Sequence, residues 1–186
     1  MRCAIHRWIA VFACGFALFS TASATSVARL SFEELTDQSE LVVSGQIGRS
    51  WAEWDAEHKY IWTHYELGVS GALKGNPGST VVLSEPGGTV GLVGQTIAGT
   101  VAYSSGETVL VFLKRMPNGY WRTTGWSQGK FTIDKAGRVH PTAPVGGLEI
   151  VGSNGRAPGT ALRSLDGISV AQLRGLVAAR LQGRAK

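Results

Sequence analysis

Cysteine is scarce in this chain, and where it occurs matters more than the count. Its 186 residues hold two, Cys3 and Cys14, both near the start. Arg2 and Arg7 precede an uncharged apolar run, Trp8 to Phe19, and the small residues Ala22-Ser23-Ala24 follow. That order is the pattern of a cleavable secretory signal, so residues 1–24 are expected to be removed near Ala24. The protein is then secreted or periplasmic. Cleavage would also remove both cysteines. With them go disulfides, a thiol nucleophile and any thiolate metal site. Long apolar runs are lacking too. A membrane span needs roughly 20 apolar residues, and Trp8 to Phe19 falls short, so no membrane span is expected. Charge of one sign is modest. Losing Arg2 and Arg7 takes the basic residues from 18 to 16 against 13 acidic ones, a net +3. Such a balance does not call for nucleic acid.

What remains is a chain of ordinary single-domain size, 25–186. Ser31 with Glu34 three residues on is a capping box, and it predicts a short helix ending near Ser39. The apolar period then shortens. Leu41 to Ile47 reads as a strand, with Gly45 marking a bulge or bend. Lys59 to Leu73 is the clearest strand. It sets Ile61, Thr63, Tyr65, Leu67 and Val69 on one face and Tyr60, Trp62, His64 and Glu66 on the other. Lys74-Gly75-Asn76-Pro77-Gly78 is a turn, and Ser79 to Ser84 a further strand. Thr108 to Lys114 is apolar on both faces, which predicts a central strand covered on each side. Asn118-Gly119 predicts a type I′ hairpin leading into Tyr120 to Thr124. Lys130 to Ile133 and Arg138 to His140 form a last hairpin around Ala136-Gly137. Glycine-rich Glu85 to Ser105 reads as a long loop holding one short strand, and Pro141 to Gly167 as an irregular wrap. Ser169 with Gln172 caps a final helix, about 169–182, with Val170, Leu173, Leu176, Val177 and Leu181 on its apolar stripe and Gly183 as its stop.

The expected fold is mainly β: one small antiparallel barrel, core about 40–140, with a helix at each end. A sandwich is the alternative. The runs Glu40 to Gly45, Thr63 to Leu67, Leu73-Lys74-Gly75 and Gly106 to Leu113 resemble a group of exported bacterial proteins. More loosely they resemble the netrin-like, OB-fold modules of tissue inhibitors of metalloproteinases. That resemblance implies an OB-like barrel and a partner such as an extracellular or periplasmic protease. The inhibitors place an N-terminal cysteine on the catalytic zinc. The mature chain would have none, so no residue here inherits that role.

Five groups of residues carry candidate chemistry. Gly125-Trp126-Ser127-Gln128-Gly129 matches G-x-S-x-G, with Asp134 and His140 following in hydrolase order. That makes Ser127 a candidate nucleophile, His140 its base and Asp134 the orienter. The motif requires a strand, a sharp turn and a helix, whereas Lys130 to Ile133 reads as a strand. His58 and His64, with Asp55, Glu57 and Glu66, offer zinc-type ligands. Six residues along a strand span about 20 Å, too far for one ion. Tyr60, Trp62 and His64 form a row suited to stacking on sugar or packing on a partner, unless a helix or loop covers them. Glu85 to Gly91 is glycine-rich but lacks the G-K-[ST] of a phosphate loop. The basic tail (Arg174, Arg180, Arg184, Lys186) suits a solvated helix end. The expected function is therefore an exported, non-enzymatic binding domain for a protein or envelope component. It needs no cofactor or metal and uses Tyr60, Trp62 and His64. A secreted serine hydrolase using Ser127 and a carbohydrate-binding module using Trp62 are the alternatives.

Overall fold

The computed structural model describes residues 25–143, 148–152 and 160–184. The expected signal segment, 1–24, and Lys186 of the basic tail lie outside them. The chain runs β1 (Thr25–Ala28), α1 (Phe32–Gln38), β2 (Leu41–Trp54), β3 (Ile61–Lys74), β4 (Thr80–Pro86), β5 (Gly88–Val90) and β6 (Val93–Gln95). It continues with β7 (Thr108–Arg115), β8 (Trp121–Thr123), β9 (Lys130–Ile133), β10 (Val139–Pro141), β11 (Leu148–Val151) and α2 (Val170–Arg184).

The architecture is mainly β. One sheet of seven strands has the order β10-β9-β7-β2-β3-β4-β8. β8 also pairs antiparallel with β7 through three residue pairs, and reaches β4 through the single parallel pair Leu83 with Trp121. β5 with β6, and β1 with β11, form two small ribbons.

β7 explains how the layers stack. Val109 to Leu113 are fully buried on both sides of the sheet, as the unbroken apolar run predicts. Val109, Val111 and Leu113 join Tyr65, Leu67 and Leu83 in one core. Leu110 and Phe112 face the other way, into a second core closed by α1 and α2 through Phe32, Leu35, Leu173 and Val177. Period-two alternation thus lets one strand serve two cores.

Gly45 sits at a register shift between β2 and β3, and a Cβ there would lie 2.1 Å from the Gly68 carbonyl oxygen. Only glycine permits that approach, which is why the bulge falls there. Both helix caps form. The Ser31 hydroxyl accepts from the Glu34 amide, and the Glu34 carboxylate accepts from the Ser31 amide. Ser169 and Gln172 repeat the exchange at α2.

Four expectations need correction. The Asn118-Gly119 hairpin is not type I′. The Gly119 amide donates to the Met116 carbonyl and Gly119 alone has positive φ (86°), so Pro117 and Asn118 are the central residues. Proline's fixed φ starts the turn one residue early, and Gly119 takes the left-handed position after it. The Glu85 to Ser105 region holds two short strands, β5 and β6, rather than one. The Pro141 to Gly167 wrap contains β11, paired parallel with β1. Finally, α2 runs through Gly183 to Arg184, and Leu176 stands exposed, outside the buried stripe. The tail is anchored from across the chain: the Arg180 guanidinium donates to Asp37 of α1, and Arg184 lies 3.3 Å from the same carboxylate.

Candidate functional site

The long antiparallel pairing of β2 with β3 decides what becomes of the aromatic row. Trp51 stands directly opposite His64, and Glu53 opposite Trp62. Cross-strand partners share a face, so four side chains from two strands meet on one side of the ribbon. The Trp51 and His64 rings stack with centroids 5.2 Å apart. Tyr120, arriving just before β8, meets both Trp62 and His64 edge-on, each at 5.2 Å. The Arg49 guanidinium lies 5.0 Å from the Trp51 ring centre and bonds Glu66 at 2.7 Å.

The three residues singled out in sequence therefore have different fates. Trp62 is half-buried within the cluster. His64 lies beneath it, 3 % exposed. Tyr60 stands apart in the β2–β3 loop, 41 % exposed, with Lys59 against its ring. The row is covered neither by a terminal helix nor by the glycine-rich loop. Trp51 and Tyr120 close over it. They lie 13 residues before and 56 residues after His64, and only strand register joins them.

His64 also organises polar groups. Its Nδ1 lies 2.8 Å from the Ser84 hydroxyl, on the paired strand β4. Its Nε2 makes no hydrogen bond but lies 3.3 Å from the Glu53 carboxylate. Burial pushes the imidazole below its ordinary value of 6.5, with Glu53 opposing. Ser84, His64 and Glu53 follow the nucleophile–base–orienter order of a hydrolase. However, Ser84 is buried and its residue is paired in the β3–β4 ladder, so the hydroxyl is closed to a substrate. The arrangement builds a rigid floor for the aromatic cluster.

The Ser127 constellation is not assembled. Ser127 lies in a 3-10 turn, Trp126–Gly129, and is 1 % exposed; its hydroxyl has no hydrogen-bond partner among the described residues. His140 is held elsewhere, with Nδ1 2.7 Å from Asp166 and Nε2 3.3 Å from Asp134. Two carboxylates raise its pKa, led by Asp166. With both ring nitrogens engaged by carboxylates, the imidazole is not placed to take a serine proton. The second motif glycine has a packing role: a Cβ at Gly129 would lie 2.2 Å from the Thr124 carbonyl oxygen. Among the described residues, no group of three or more His, Cys, Asp or Glu could hold a metal ion. His58 stacks on Trp54 in the β2–β3 loop, away from His64.

Sequence reasoning missed Trp51, Tyr120, Ser84 and Glu53. The alternation of Trp51 and Glu53 with intervening Ala52 was a signal that β2 continues past Ile47, and it would have brought both into view. Compared with protein-family models and with curated proteins, the chain matches none.

Proposed function

We propose that this is an exported, non-enzymatic binding domain whose contact surface is the aromatic face of the β2–β3 ribbon. The partner is a protein or another envelope component. The observation that carries the reading is the cluster of Trp51, Trp62 and Tyr120 held at the surface over a buried, hydrogen-bonded His64. Rigid amphipathic rings on a fixed floor lose little entropy on binding, which is what a contact surface needs. Arg49, Glu53 and Glu66 supply a charged rim. Export rests on residues 1–24, with cleavage near Ala24.

We also read β7, β2, β3, β4 and β8 as a small OB-like barrel. The two-sided pairing of β8 supports this. The netrin-like resemblance extends to this barrel alone, and the protease-inhibitor role stays with the cysteine-bearing modules.

A carbohydrate-binding module remains the second reading, since tryptophans flanked by carboxylates suit sugars. It is weaker, because pyranose stacking needs a free ring face. His64 stacks on Trp51, and Trp62 meets Tyr120 edge-on.

Purified protein, wild type and Trp62→Ala, serves as bait in culture supernatant and on polysaccharide columns. A protein component retained by wild type and lost with Trp62→Ala is the expected result. Retention on polysaccharide instead moves the assignment to the sugar reading. Equal retention by both baits sinks the aromatic face as the contact surface.

A further inference from the structure

A cation pair at the β7–β8 seam has no counterpart in the aromatic face. Lys114 and Arg122 stand directly opposite each other on antiparallel strands. Like charges in that position repel. Both line one cleft of about 230 Å³, together with Trp126, Gln38, Leu30 and Val27. Among the described residues the Lys114 side chain makes no hydrogen bond or ion pair. The Arg122 side chain is only 15 % exposed, and among the described residues its one ion-pair partner is Glu85, 3.5 Å from Nε, long for a hydrogen bond. That Nε is buried without an acceptor. Nε faces Glu85 Oε2, which is buried and equally without a hydrogen bond, so what the cleft offers a ligand is the rest of the guanidinium beside the Lys114 ammonium, two cations against one carboxylate.

The wall of the cleft is built to hold the guanidinium still. The Arg122 guanidinium lies over Trp126, its carbon 4.6 Å from the ring centre. Trp126 holds φ at 59°, in the left-handed region that a tryptophan rarely adopts. The adjoining Gln128 side chain fixes this turn, accepting from the Leu30 amide and donating to the Ala28 carbonyl.

We infer that this cleft binds a carboxylate carried on an apolar body, such as a small free acid or the C-terminus of a peptide. A planar two-oxygen group matches the fork of one arginine, while Lys114 supplies a point charge. Leu30, Val27 and the Trp126 edge take the apolar body.

The test uses N-acetyl-leucine, its amide, and a five-residue peptide ending in leucine, read by calorimetry and by thermal unfolding of the purified protein. N-acetyl-leucine should bind and raise Tm, and the uncharged amide should do neither. Lys114→Gln relieves the cation pair, so its unliganded Tm should equal or exceed that of wild type while affinity falls about tenfold. Arg122→Gln should bind more weakly still. Tighter binding of the peptide than of N-acetyl-leucine identifies a chain terminus as the ligand, and equal binding a free acid. Absence of binding to wild type, equal binding of the amide, or unchanged affinity in Lys114→Gln would overturn the assignment.

Discussion

Trp51 and His64 face each other across the β2–β3 ribbon with their rings stacked at 5.2 Å. The stack keeps His64 out of water, and burial lowers its pKa below the ordinary 6.5. His140 is the opposite case, an exposed ring whose pKa Asp166 and Asp134 raise. The two histidines therefore pull stability in opposite directions with pH. For His64, the unfolded chain binds the proton more readily. Its contribution is full above about pH 6.5 and is lost as pH falls toward the lowered folded value. For His140, the folded chain binds the proton more readily. Its contribution is full below about pH 6.5 and is lost as pH rises through the raised folded value. Urea midpoints measured from pH 5 to 8 should show His64→Gln flattening the acidic loss and His140→Gln removing the alkaline one. Identical pH profiles for both variants would contradict the assignment.

Gly45→Ala tests the bulge. The added methyl would meet the Gly68 carbonyl at 2.1 Å, with backbone on both sides. Neither strand can move without breaking ladder pairs, so a loss of about 3 kcal/mol is expected from chemical denaturation. Gly183→Ala, with open space around it in α2, is the contrast and should be neutral or stabilising.

Lys130 is buried at the start of β9, its Nζ 2.7 Å from Glu107, 2.8 Å from the Ala102 carbonyl and 4.5 Å from the Tyr103 ring centre. Glu107→Gln strands that charge. A cost of roughly 3 kcal/mol follows, since breaking a buried pair leaves one ion uncompensated. Lys130→Met in the same background should recover part of it. A double-mutant cycle showing no coupling would refute the pair's role.

Asp37 joins α1 to the end of α2 through Arg180 and Arg184. Arg180 holds the carboxyl below its ordinary 3.8. The contribution is present above that value and lost as pH falls through the lowered folded one. The groups are part-exposed, so Asp37→Asn should cost only about 0.5 kcal/mol, less at high salt. Amide exchange along the last turn of α2 should quicken. Unchanged protection there would mean the pair does not anchor the tail.

Local order was readable wherever a short stretch of chain specifies it. Ser31 with Glu34, Ser169 with Gln172, the unbroken apolar run of β7 and the alternation of β3 from Ile61 onward all act within a few residues, and each formed as read; Tyr60, read into the same strand, lies in the loop before it. The Asn118-Gly119 turn misled because Pro117, one residue earlier, fixed the backbone first. β11 was hidden because its partner β1 lies more than 100 residues away. The aromatic row shows the limit most clearly. Alternation alone put Trp62 and His64 on one face. It could not say that Trp51 would stack on His64, that Tyr120 would close over both, or that Tyr60 would stay in the loop. The same holds for Lys114 opposite Arg122, an unremarkable pair of cations until β7–β8 register sets them face to face. Sequence by itself determined the central strands, the caps and the absence of cysteine after Cys14, because these are local or compositional. Tertiary structure decided the floor beneath the aromatics, the dispersal of Ser127 and His140, and the cationic cleft. Each depends on pairing between distant strands, where moving register by one residue sends every side chain to the opposite face.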